Sequence, residues 1–107
     1  MTSDEKDTPL DRARATEIAR RTIAAAEDGS ELALLEEKTV EREFGWVFFY
    51  TTKRYLQTRD PSHLKPGNAP LVVERADGRT DYLGTSVPPP VAIGLYEARW
   101  RERQARR

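Results

Sequence analysis

A chain of 107 residues with no cysteine and a formal net charge of zero has the size of one small domain with a single modest core. That composition excludes disulfides and every cysteine-based metal or nucleophile site. The balanced total hides an uneven distribution, since residues 1–43 hold 12 acids and 7 bases and residues 44–107 hold 6 acids and 11 bases. Opposed halves of this kind can steer a charged partner, although solvated faces alone would give the same counts. Met1 to Asp7 is acidic and lacks an apolar stretch, and no run approaches the roughly 20 apolar residues of a membrane span. Neither a signal peptide nor a membrane span is expected, and a cytoplasmic location is the simplest reading.

In chain order, Thr8-Pro9-Leu10-Asp11 offers a Thr N-cap followed by Pro at the first helical position, which predicts a helix from there. Ala15, Ile18, Ala19, Thr22, Ile23 and Ala26 form a narrow stripe of small and apolar residues at helical spacing, and Gly29 supplies the stop. Arg12, Arg20 and Arg21 fall on the solvated face. Leu32 to Leu35 opens a strand, and the polar stretch Glu36 to Glu43 leads as a ribbon or bend into Phe44-Gly45-Trp46-Val47-Phe48-Phe49-Tyr50. All three Phe, one of two Trp and one of four Tyr fall in those seven residues, so they mark a central strand covered on both faces. It is expected to pair antiparallel with the Leu32 strand. Alternation puts Phe44, Trp46, Phe48 and Tyr50 on one face and Val47 and Phe49 on the other. Gly45 between bulky aromatics predicts a bulge or a close backbone approach.

Thr51 to Leu56 extends the strand or turns, and a long loop from Gln57 to Ala69 follows, with Asp60-Pro61, Pro66-Gly67-Asn68 and the only histidine, His63. Leu71 to Arg75 and Thr80 to Thr85 flank Ala76-Asp77-Gly78-Arg79, which predicts a hairpin turning at Asp-Gly. Pro88-Pro89-Pro90 ends the sheet. A last helix from about Val91 presents Ile93, Tyr96 and Trp100, then dissolves into an Arg-rich tail. The expected architecture is α+β: an N-terminal helix, a four-stranded antiparallel sheet with a long loop between strands 2 and 3, and a C-terminal helix. One domain over 1–107 is expected, with a folded core at 8–98 and frayed ends at 1–7 and 101–107.

The residues that could carry chemistry read mostly as surface. Asp60, Ser62 and His63 supply triad residue types, but they lie too close in sequence for the usual geometry, and no nucleophile elbow surrounds the serine. Glu36, Glu37, Glu41 and Glu43 could do glycosidic or metal chemistry if held in a cleft, with Glu37, Glu41 and Glu43 on one strand face. A solvated edge that resists aggregation explains them as well, and an acidic docking surface is the functional alternative. Pro66-Gly67-Asn68 lacks the glycines and lysine of a phosphate loop. The arginines from Arg99 to Arg107 fit a solubilising helix end better than a nucleic-acid or membrane contact.

Three segments taken together carry a resemblance: Glu41 to Tyr50 with its Gly45-Trp46 pair, Gly67-Asn68-Ala69-Pro70-Leu71-Val72-Val73, and Asp77-Gly78 followed by Tyr82-Leu83-Gly84-Thr85. In this order and spacing they resemble the immunity protein 35 family, also called YrhB-like, over about residues 10–98. The resemblance implies a small α+β protein that protects bacteria from a polymorphic toxin, or a chaperone-like protein that binds apolar client segments. It implies no enzymatic activity, no catalytic or metal-binding residues and no cofactor. The expected partner is a cognate toxin protein, with no nucleic acid and no membrane, and the chain itself is expected to be a monomer or weak homodimer. Glu36, Glu37, Glu41, Glu43, Arg59, His63 and Trp100 are the candidate partner-binding residues.

Overall fold

Asp11 opens the first helix by accepting a hydrogen bond from the Arg14 N–H on its side chain (2.9 Å). In the computed structural model, which describes residues 10–25, 32–60 and 69–106, helix α1 then spans Arg12–Ala25. The cap thus lies at Asp11; Thr8 and Pro9, where the sequence pattern placed it, fall outside the described residues, as does Ala26. The small-residue stripe does what its spacing predicts: Ala15, Ala19 and Ile23 are buried against the sheet.

Strands β1 (Leu32–Leu34), β2 (Val40–Arg42), β3 (Gly45–Phe48), β4 (Tyr50–Thr52), β5 (Leu71–Glu74) and β6 (Thr80–Tyr82) follow, with a 3₁₀ turn at Glu36–Lys38 and a short helix α2 at Lys53–Thr58. Helix α3, Pro89–Ala105, closes the chain. The fold is α+β and every strand pair is antiparallel. Four strands form the central sheet in the order β2-β3-β5-β6, but the Leu32 strand is not among them. It pairs instead with β4 in a separate two-stranded sheet, Leu34 opposite Tyr50. The aromatic segment breaks at Phe49, whose carbonyl accepts from the Leu35 N–H (2.8 Å), so one continuous run serves two sheets. The connection from β3 to β5 therefore carries β4 and α2, and residues 61–68 of the expected long loop lie outside the described residues.

Both faces of β3 and β5 are covered, which is why these strands read as unbroken apolar runs although the sheet is antiparallel. Trp46, Phe48, Leu71 and Val73 pack under α1 with Ala15, Ala19 and Ile23. Phe44, Val47, Val72 and Leu83 pack under α3 with Ala92, Ile93 and Tyr96. Phe44 thus sits opposite the face that simple alternation assigns it. It belongs to the turn between β2 and β3, and Gly45 resets the phase with φ +149°, a conformation that L side chains rarely adopt. A Cβ at Gly45 would lie 2.2 Å from the Val73 carbonyl oxygen. The close approach lets the Arg75 N–H reach the Phe44 carbonyl at 2.8 Å.

The Asp77-Gly78 hairpin forms as predicted, with Gly78 at φ +78° and its N–H on the Glu74 carbonyl (2.9 Å). Proline at the first turn of α3 starts that helix rather than merely ending the sheet. The helix continues through Ala105, with Trp100 packed on the α3-side cluster and Arg103 bonded to Glu74 of the sheet. Among the described residues no helix is long and apolar enough to cross a membrane.

Candidate functional site

Strand β5 ends in Glu74, directly opposite Gly45. Alternation from Val72 turns its side chain toward α3, where it is 4% exposed. One carboxylate oxygen, Oε2, accepts from the Tyr96 hydroxyl at 2.5 Å and from the Arg103 guanidinium at 2.6 Å. Tyr96 and Arg103 are seven residues apart, two turns along one face of α3, so both reach the same point of the sheet. Burial raises the Tyr96 pKa well above the ordinary phenol value, and the bond to Glu74 raises it further. The Arg103 pKa is also raised, first by its bond to Glu74. At neutral pH the tyrosine is a fixed donor and the arginine a fixed cation, and the cluster ties α3 to β5.

Neither composition nor motif singled Glu74 out. The available signal was an acid ending a fully apolar strand, with Tyr96 and Arg103 at helical spacing on an element that covers it. Beside the cluster lies a depression of about 270 Å³ lined by Arg79, Asp81, Tyr96, Arg99, Glu102 and Arg103.

The structure disperses the acidic ribbon. Glu36 and Glu37 lie in the 3₁₀ turn rather than on a strand, so Glu37 does not share a strand face with Glu41 and Glu43. Glu36 pairs with Arg20 of α1, and its carbonyl accepts from Arg12 (3.1 Å). Glu41 on β2 pairs with Arg75 at 3.1 Å. That arginine also donates to the Arg42 carbonyl (2.8 Å) and lies over the Trp46 ring, 4.4 Å from its centroid. Glu43, in the turn before Gly45, reaches Arg101 of α3 at 3.4 Å. Three neighbouring acids therefore address three different elements. Their pairs are solvent-exposed and each contributes about 0–1 kcal/mol. Glu37 is exposed and makes no ion pair among the described residues.

Arg59 caps α2 in the left-handed conformation at φ 58°, its guanidinium 5.7 Å from the Tyr55 ring centroid. His63 lies outside the described residues. Trp100 is half-buried, its ring 6.4 Å from that of Phe44, as part of the α3 cluster.

These elements correspond to a known family. The immunity protein 35 model matches residues 13–103, from the first turn of α1 nearly to the end of α3. The uncharacterised protein YrhB of Escherichia coli (strain K12) is 32% identical over 53 residues, which cover 50% of this chain and 56% of that protein. The match thus spans little more than half the length of that relative. No solved structure matches the chain. With the family match covering nearly all of α1 and α3 and every strand between them, the chain belongs to the immunity protein 35 family.

Proposed function

We propose that this protein is a non-enzymatic immunity protein, which binds and neutralises a cognate bacterial toxin by covering a surface the toxin needs. The observation that carries the reading is the family match over residues 13–103. The geometry is consistent with it: the buried carboxylate, Glu74, is engaged by Tyr96 and Arg103 inside the fold. A function by occlusion needs roughly 800 Å² of the protein's own surface with a few anchor residues. Glu36, Glu37, Glu41, Glu43, Arg59, His63 and Trp100 remain proposed contacts on this reading, with Glu37 and Arg59 the more available for an incoming group. Protection of the producing cell would take place in its cytoplasm. A chaperone-like role would call for a broad apolar surface, and Tyr82, Val91 and Leu95 are the exposed large hydrophobics among the described residues.

The test is co-production with the toxin encoded beside this gene. Survival of the host, and a complex of the two proteins on gel filtration, is the expected result. Killing that continues unabated with no complex would overturn the reading.

A further inference from the structure

The four-stranded sheet has two outer strands, β2 and β6. All of β6, Thr80 to Tyr82, is exposed. Its ladder with β5 takes the main-chain groups of alternate residues, as antiparallel pairing requires. The Arg79 carbonyl accepts from the Glu74 N–H and the Leu83 N–H donates to the Pro70 carbonyl, both at 2.9 Å, with Asp81 opposite Val72 between them. The intervening residues, Thr80 and Tyr82, therefore direct their N–H and carbonyl groups away from the sheet. The Asp81 carboxylate covers one of these groups by accepting from the Tyr82 N–H at 2.9 Å. At Thr80 neither the N–H nor the carbonyl is bonded among the described residues. A donor and an acceptor side by side are what one closely spaced pair of antiparallel bonds uses.

Charges of opposite sign flank Thr80. Arg79 and Asp81 both turn toward α3, where they line the depression beside Tyr96, and neither makes an ion pair among the described residues. The other charges of that depression balance, since Arg103 is bonded to Glu74 and Arg99 and Glu102 are opposite in sign. A partner of one sign would thus be attracted and repelled alike, whereas a second copy of the strand, run antiparallel, presents the same two charges in reverse order. With Thr80 opposite Thr80, each Arg79 lies directly across from the other copy's Asp81. The neighbouring register, Thr80 opposite Tyr82, would set Asp81 against Asp81. The β2 edge lacks this property. There Val40 and Arg42 bond toward β3, which leaves Glu41 as the outward residue, and pairing about Glu41 would set two carboxylates against each other.

We propose that β6 is a self-complementary edge, which pairs with β6 of a second copy of this chain and continues the central sheet across a two-fold axis at Thr80. The Thr80 main chain forms the two central hydrogen bonds, and Arg79 and Asp81 form two reciprocal ion pairs on the α3 side. Tyr82, 43% exposed, falls on the other face opposite the partner's Gly78, where no side chain opposes it. An edge of three residues buries much less than the roughly 1,600 Å² of a standard interface, so the dimer is weak and depends on concentration. The pairing does not rest on the immunity reading.

Sedimentation equilibrium of the full chain, from micromolar to millimolar concentration, tests the pairing. The wild type is expected to pass from monomer to dimer. Arg79→Asp and Asp81→Arg each set like charges opposite one another at both positions, and each alone is expected to weaken dimerisation about tenfold or more. An equimolar mixture of these two variants restores opposite signs at both positions. It is expected to form a heterodimer of near wild-type affinity, which also shows that both variants fold. Thr80→Pro removes the outward N–H at an edge position that tolerates proline, and is expected to leave a monomer. A wild type that stays monomeric at millimolar concentration, single variants that dimerise as the wild type does, or a mixture that stays monomeric would each overturn the proposal and leave the immunity reading standing. Amide exchange at β6 slowed by the neighbouring gene's toxin, but not by raising the concentration of this chain, would give the edge to a toxin strand and overturn it as well.

Discussion

The two faces of the central sheet are closed by different chemistry. Under α1 the contact is apolar and close: Ala15 and Ala19, both fully buried, lower the helix onto Trp46, Phe48, Leu71 and Val73. Under α3 the apolar cluster of Phe44, Val47, Val72 and Leu83 is joined by a buried carboxylate held from the helix by a tyrosine and an arginine. Apolar burial is non-directional and fixes how close a helix lies, whereas a carboxylate with two donors also fixes where along its axis the helix sits. The first face is therefore sensitive to volume and the second to charge and pH.

The largest expected effect falls where the faces are partitioned. Gly45→Ala is expected to cost about 3 kcal/mol or more, since φ +149° and a Cβ 2.2 Å from the Val73 oxygen both oppose it. Urea unfolding would measure the loss, and a variant of near wild-type stability would show that Phe44 reaches the α3 side without this constraint. Next comes Arg103→Leu, which leaves the buried Glu74 carboxylate without its cation; because the arginine itself is 41% exposed and water screens part of the loss, the cost is expected to be about 2 kcal/mol. Adding Glu74→Gln removes the orphaned charge and should restore part of that loss in a double-mutant cycle. Additive losses would mean that the two groups act independently.

On the apolar face, Ala19→Leu is expected to cost about 2 kcal/mol by forcing α1 off the sheet, with little dependence on pH or salt. Tyr96→Phe removes one donor to Glu74 and should cost about 1.5 kcal/mol at neutral pH. Its more telling readout is alkaline. The folded pKa of Tyr96 is raised, so its contribution is fully present below the ordinary phenol pKa of about 10 and is lost as pH rises toward the folded value. Stability of the wild type should fall with pH above that point, and less steeply in Tyr96→Phe. Identical slopes would dismiss the coupling. The smallest effect is expected from Arg20→Gln, which breaks an exposed pair with Glu36 worth at most about 1 kcal/mol; thermal melts at low and high salt would show whether even that much is present.

Much of this arrangement is legible in local pattern. The stripe from Ala15 to Ile23 gives both the helix and its buried face, because 3.6-residue spacing is set within a single element. Asp77-Gly78 gives its hairpin for the same reason, as Gly relieves a positive φ that the turn itself demands. The acidic residues from Glu36 to Glu43 read as one ribbon in the sequence because neighbours in the chain are the only neighbours it displays. Their partners, Arg20, Arg75 and Arg101, come from α1, the β5–β6 hairpin and α3, and separate them. Trp46 was legible as core, but the guanidinium of Arg75 over its ring joins residues 29 positions apart and leaves no local trace.

The α+β class, the seven-residue segment at the centre and the glycine that bends it are written into the chain locally, through short-range sterics and apolar periodicity, while the family is carried by the order and spacing of three matching segments. Long-range packing, by contrast, sets the division of this segment between two sheets at Phe49, the placement of Phe44 under α3 and the burial of Glu74 against Tyr96 and Arg103. It also decides which side of α3 stays exposed, leaving Val91 and Leu95 in solvent. Each of these depends on which distant element covers a given face, a choice made by the packing of the whole chain rather than by any window of it.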